Sequence, residues 1–234
     1  MIFSIALGGG SVILFLAVGG GIFTGVRMPF SEPALLLWDA ALSLAFFLQH
    51  SGMVRKQFRA RLAGLIPERY QGAFYSITSG IVLTLVALLW QHSDMYLWHL
   101  QGFSLWIARG GTCLALAIFL WSVIALRSFD LLGLAPIKAH IRGEQLQPSP
   151  FIVRGPYRWV RHPVYSGVLI LLWSTPVLTT DGLLFNILWT GWIVAGTLLE
   201  ERDLTARFGN AYRDYQQKVP MLIPWHSPAT VQNE

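Results

Sequence analysis

The chain has 234 residues, 54% of them hydrophobic and only 12% charged, whereas soluble domains carry roughly 25% charged side chains. That composition excludes an ordinary water-soluble globule, and the single cysteine, Cys113, excludes an internal disulfide or a cysteine-rich metal site. The formal charge of +5 does not call for a nucleic-acid partner, because basic residues beside apolar spans follow from the positive-inside bias alone.

The first apolar stretch, Ile5 to Val26, is long enough to cross a bilayer and lacks the basic start of a cleavable signal. Its Gly8-Gly9-Gly10 and Gly19-Gly20-Gly21 runs would weaken a helix in water, but in lipid small residues let helices approach closely. They offer a packing face to another helix, from this chain or from a second protomer. Further apolar segments run Ala34 to His50, Ala73 to Gln91 and Phe103 to Leu126. The last block, Val164 to Leu199, is too long for one span and breaks at Thr179-Thr180-Asp181-Gly182, a turn signal. It reads as a helical hairpin. The expected fold is an all-α integral membrane bundle of about six transmembrane segments. One domain over 1–225 is expected, with N-terminal spans in 1–126 and a ligand-binding region in 127–225. A polar, unstructured tail over 226–234 follows.

Orientation follows from the loops. Arg55, Lys56, Arg59, Arg61 and Arg69 lie between the second and third spans, and Arg127, Lys138, Arg142, Arg154, Arg158 and Arg161 follow the fourth. The loop from Gln91 to Phe103 has Asp94 and no lysine or arginine. Both basic loops are therefore predicted to face the cytoplasm, with both termini on that side. His50, Asp130, His162 and Glu200-Glu201 then share the cytoplasmic end, which predicts one site there. Asp39 and Arg109 fall toward the opposite face and read as structural, paired or snorkelled to water.

In Arg161-His162-Pro163 the proline suits a helix's first turn, where its missing N–H costs nothing. His162 then stands at the helix start, and Tyr165, three residues on, shares its face. Gly167 lets a cofactor or a neighbouring helix approach the backbone. Trp159 and Arg158 serve equally well as interfacial anchors. Glu200 and Glu201 are expected to end the last apolar helix, where adjacent carboxylates oppose the dipole and each other. They need partners: ligand hydroxyls, a ligand amine, or Arg202 and Arg207. Glu200 is the preferred ligand contact, and one of the two is expected to be merely solvated.

Taken together, Arg161-His162-Pro163-x-Tyr165-x-Gly167, Glu200-Glu201, Phe208-Gly209-x-x-Tyr212-x-x-Tyr215 and Val219-Pro220-x-x-Ile223-Pro224 resemble the isoprenylcysteine carboxyl methyltransferase and phospholipid methyltransferase superfamily. The resemblance covers residues 128 to 224. It implies S-adenosylmethionine (S-adenosyl-L-methionine) as cofactor, with contacts at Tyr157, His162, Pro163, Tyr165 and Glu200, and Gly167 and Glu201 beside them. It further implies that the loop from Ser149 to Val153, Ile152 and Val153 included, holds the cofactor through backbone groups. Prenylcysteine enzymes place a substrate-contacting arginine one turn before the glutamate, where this chain has Gly196.

The N-terminal half is similar instead to the bacterial methanethiol S-methyltransferase group. The similarity rests on Gln49-His50-Ser51-x-Met53-Val54-Arg55, Pro67-Glu68-Arg69, Ser128-Phe129-Asp130-Leu131-x-Gly133-Leu134 and Trp173-Ser174-Thr175-Pro176. It implies a small thiol as substrate. Such a thiol is mostly protonated at neutral pH, so a base is needed, and His50 is the candidate. Asp130 is expected to orient His50 or to bind the cofactor's amine, with Arg127 or Arg161 favouring the anion. His50 reads equally as a helix-end histidine bonded to a carbonyl, and Asp130 as a cap paired with an arginine. No metal is expected, because the six histidines show no ligand spacing. Two other classes stand beside thiol methylation: methylation of a lipidic carboxylate or amine, and a non-enzymatic membrane protein.

Overall fold

The computed structural model describes residues 26–125, 134–144 and 151–228. The first apolar stretch up to residue 25, Asp130, and the tail beyond residue 228 lie outside the described residues.

Glu32 in the first turn and Pro33 beside it start α1 (Glu32–Val54), which ends where Arg55 turns extended. A short basic helix, α2 (Lys56–Leu62), follows. Glu68 then opens α3 (Glu68–Leu89) directly behind Pro67. A short strand, β1 (Tyr96–His99), precedes α4 (Gly102–Ala125). Helix α5 (Ala135–Arg142) is closed by Gly143, whose φ of 67° lets its N–H reach back to the carbonyls of Ala139 and His140. A 3₁₀ turn (Gly155–Arg158) leads to α6 (Pro163–Trp173), then β2 (Val177–Thr179) and α7 (Thr180–Phe208). Gly209, at φ 59° and ψ −129°, breaks α7 from α8 (Asn210–Lys218).

Four helices, α1, α3, α4 and α7, are long and apolar enough to cross a membrane. Their outward faces carry apolar residues such as Leu37, Leu44, Leu48, Phe103, Trp106, Ile107 and Leu120, surfaces that need lipid rather than water against them. Helix α6 differs. Its 11 residues reach about 16 Å at 1.5 Å per residue, half the ~30 Å hydrocarbon core. The hairpin break also lies earlier than its sequence signal: α6 stops before Ser174-Thr175-Pro176, and Thr180, Asp181 and Gly182 form the first turn of α7. Proline has no N–H to continue a helix, whereas the Thr179 hydroxyl accepts from the Gly182 N–H (3.3 Å) as a helix start requires.

The chain divides into two compact units. In the first, α1 packs on α3: the Trp38 indole N–H donates to the Leu89 carbonyl (3.0 Å), and the Gln91 N–H donates to the buried carboxylate of Asp39 (2.9 Å). Asp181 accepts from the Trp90 indole (3.1 Å) and the Ser93 N–H (3.1 Å). Ala73 of α3 meets Leu134 and Ile137 at α5. These bonds tie the α3 exit to α1 and to the start of α7.

In the second unit α6 lies against α4 closely enough that a side chain at either of two glycines would crowd its neighbours. A Cβ on Gly111 would stand 2.2 Å from the Ser174 hydroxyl, and one on Gly167 would stand 3.2 Å from the Ala115 carbonyl. Gly167 thus admits a neighbouring helix, one of the two roles read from its sequence position. The 3₁₀ turn is seated on the end of α4, with Gly155 (φ 57°) against Trp121 and Ala125. Leu100 N–H donates to the Pro176 carbonyl (2.8 Å), so α4 begins where α6 ends. Arg109 of α4 lies over the Trp106 ring at 5.2 Å.

Candidate functional site

The second unit gathers most of the expected ligand residues at the start of α6. His162 is the N-cap residue and Pro163 the first helical residue. The chain beyond α8 is bonded to this start: Arg161 N–H donates to the Pro220 carbonyl (2.9 Å), His162 N–H to Met221 (3.1 Å), and the Ser166 hydroxyl to Leu222 (2.6 Å). An aromatic core of Tyr212, Tyr215, Val219 and Val153, with Phe151, Tyr157, Leu204 and Phe208 around it, backs the arrangement. Val153 is thereby a core side chain, with only its backbone left for a ligand role; Ile152 is half-buried.

Glu200 and Glu201 have opposite surroundings, and neither ends the helix: α7 continues to Phe208. Glu201 is buried and accepts from every side. Arg161 Nε and one terminal nitrogen donate to its two oxygens at 2.8 Å each, a bidentate pair. His162 Nε2 (2.6 Å), the Tyr212 hydroxyl (2.8 Å) and Gln216 Nε2 (2.5 Å) complete its ring of donors. Arg161 also donates to the carbonyls of Gln216 (3.1 Å) and Val219 (2.5 Å). Arg161, expected beside the reacting groups, is bonded to Glu201 and to the end of α8. Burial, followed by the bond to Glu201, pushes the Tyr212 phenol well above the ordinary tyrosine range, so it stays a donor.

Glu200 is the open member. Its side chain is 42% exposed, and His162 Nδ1 lies 3.7 Å from its carboxylate. Burial, then the Glu200 charge, pushes the Tyr157 phenol up to about 12, so Tyr157 stands within reach of that charge. The Tyr165 ring stacks on His162, with centroids 5.6 Å apart and planes 14° apart. Glu200, Tyr157, His162 and Tyr165 thus form one half-open cluster: an available carboxylate edged by aromatic rings. Its imidazole is fixed from behind by Glu201. Sequence reasoning missed Gln216 and gave Tyr212 no role. The i, i+4 spacing of the two on α8 was the available signal.

His50 belongs to the first unit, in the last turn of α1. The Tyr75 hydroxyl of α3 lies 2.6 Å from its Nε2 and 3.2 Å from its Nδ1. Phe46 and Tyr75 flank the imidazole, with ring centroids 5.1 and 5.0 Å from it. Beside this pair, the Thr78 hydroxyl lies 3.2 Å from the Met53 sulfur. Asp130, expected to orient His50, lies outside the described residues.

The family described as NnrU protein matches residues 40–226. Among curated proteins the chain is 37% identical over 223 residues to a methanethiol S-methyltransferase of a Pseudomonas sp., covering 87% of this chain and 82% of that protein. It is 36% identical over 199 residues to the methanethiol S-methyltransferase of Crocosphaera subtropica, covering 81% and 75%. Nurim of Rattus norvegicus is 30% identical over 192 residues, covering 73% and 68%. No solved structure matches.

Proposed function

This chain belongs to the NnrU family, and from that membership and the site geometry we propose that it is an integral-membrane S-methyltransferase. It transfers a methyl group from S-adenosylmethionine to a small thiol, with methanethiol the first candidate by analogy with its relatives. The observation that carries the cofactor half is the contrast between adjacent glutamates: Glu201 is surrounded by donors of the protein, while Glu200 is open.

S-adenosylmethionine fits this donor set. It presents an ammonium, a sulfonium and ribose hydroxyls, all suited to a carboxylate bordered by aromatic rings. Bound there, it supplies a methyl group on a positively charged sulfur. Glu200 holds its cationic end or hydroxyls, and Tyr157 and Tyr165 line its flank. His162 is steadied through Nε2 by Glu201. Pro163 starts α6 without a competing N–H, and Ile152 and Val153 offer backbone groups. Arg161 acts through Glu201 rather than on the reacting atoms. His50 takes the thiol proton, and Asp130 keeps its proposed role of orienting His50 or meeting the cofactor's amine. With the cofactor bound, an apolar, water-poor setting would favour a transfer in which opposite charges cancel, and alignment by these residues would supply much of the remainder.

The proposal extends to topology. The first apolar stretch, the four long helices and the half-length α6 make six membrane segments, with the site and both termini at the cytoplasmic face of the inner membrane. Exposed Arg55, Arg59, Arg61 and Arg69 support that orientation.

Headspace gas chromatography on purified protein given S-adenosylmethionine and methanethiol is the decisive measurement. Dimethyl sulfide is expected from the native chain and not from Glu200→Ala. No product, with cofactor binding intact by calorimetry, would redirect the reading to a lipidic acceptor. Neither product nor binding in folded protein would overturn the methyltransferase reading.

A further inference from the structure

We propose that Tyr75 is the positioning residue for His50 in thiol activation. The proposal rests on the thiol-methyltransferase reading above and adds to it a residue the sequence did not single out. The observation is the pairing across the α1–α3 seam, where the Tyr75 hydroxyl stands 2.6 Å from His50 Nε2. The two rings pack at 5.0 Å with planes tilted by 50°. Phe46, 3% exposed, packs on the same imidazole at 5.1 Å.

A side-chain base works only when its lone pair is held toward the proton it removes, and a nucleophile–base pair is usually completed by a third group that orients the base. Tyr75 fills that third place. The hydroxyl lies 2.6 Å from Nε2 and 3.2 Å from Nδ1; with the proton on Nε2, the nearer nitrogen, the phenol oxygen accepts from it and holds the ring angle. In the reaction the thiol S–H bond breaks and its proton passes to the imidazole. The sulfur lone pair forms the new S–C bond, and the electron pair of the broken methyl–sulfur bond returns to the donor. Tyr75 holds the resulting imidazolium until it loses its proton to water.

The test separates orientation from packing. Initial rates of native protein and Tyr75→Phe are compared on methanethiol and on an arenethiol, which is largely ionised at neutral pH and needs little help from a base. Removing the hydroxyl is expected to slow methanethiol turnover by about 10- to 100-fold, at or below the lower limit of the ~10²–10⁴-fold range for general-base assistance, because the base itself remains. Arenethiol turnover should fall by less than about threefold, and the acid limb of the methanethiol pH–rate profile should move. In a His50→Ala background the same change should have no further effect on methanethiol. Equal losses on both acceptors with an unmoved pH profile would overturn the proposal, as would no loss at all. If Tyr75→Phe folds poorly, 3-fluorotyrosine at position 75 keeps ring and oxygen while acidifying the phenol; an unmoved pH profile there would likewise overturn it. Failure of the native protein on every thiol would sink the underlying reading; native turnover with a uniform Tyr75→Phe loss would sink this inference alone.

Discussion

Glu200 and Glu201 are the same residue type at adjacent positions, yet a helix turns about 100° between them. That turn aims Glu201 at Arg161, His162, Tyr212 and Gln216 and leaves Glu200 at the half-open side. Opposite mutational signatures follow. Glu201→Gln strands Arg161, only 10% exposed, without its counter-charge, and breaking a buried pair from one side costs about 3–5 kcal/mol. A clearly lowered melting temperature in detergent is expected. Glu200→Gln should leave the melting temperature within error, because partly exposed substitutions stay near ±0.5 kcal/mol. It should instead weaken S-adenosylmethionine binding by about tenfold or more in calorimetry, the loss of one charge-assisted bond. Reversed signatures would exchange the roles assigned to the two glutamates. His162 was legible as a candidate because Arg-His-Pro is a local signal, whereas its anchor on Glu201 lies 39 positions away and has none.

At the scale of elements, the site depends on how α6 is set against α4. Gly167 lies one turn beyond His162 and faces the Ala115 carbonyl and Ile118 of α4. Gly167→Val should therefore push the helices apart at a cost of about 1–3 kcal/mol, the usual range for overpacking. Because His162 rides on the start of the same helix, cofactor affinity should fall together with the melting temperature. A loss of stability with unchanged affinity would show that the α6 start is held by the Pro220–Leu222 segment alone. The long apolar helices were legible from composition, to within a few residues at their ends. The hairpin break was misplaced because Thr-Thr-Asp-Gly reads as a turn wherever it stands, and the same residues also make a helix start. Only the bond from Thr179 to the Gly182 N–H decides between the two.

For the whole molecule, the prediction concerns sidedness. The exposed arginines between α1 and α3 should keep that connection in the cytoplasm. With the six segments proposed above, the C-terminus should lie there too. Green fluorescent protein fused after residue 234 should fluoresce, and alkaline phosphatase at the same place should be inactive; the opposite pattern would invert the topology.

The sequence by itself determined the solvent, the helical character and the family. These depend on composition, on apolar run length and on motifs contained within a few turns of chain. Tertiary structure alone decided which glutamate is open, that Arg161 pairs with Glu201, that Gly167 admits a helix, and that His50 meets Tyr75. Each of those depends on which way a side chain points and what meets it from a distant segment. Such meetings are set by helix rotation and packing, which no local run of residues encodes.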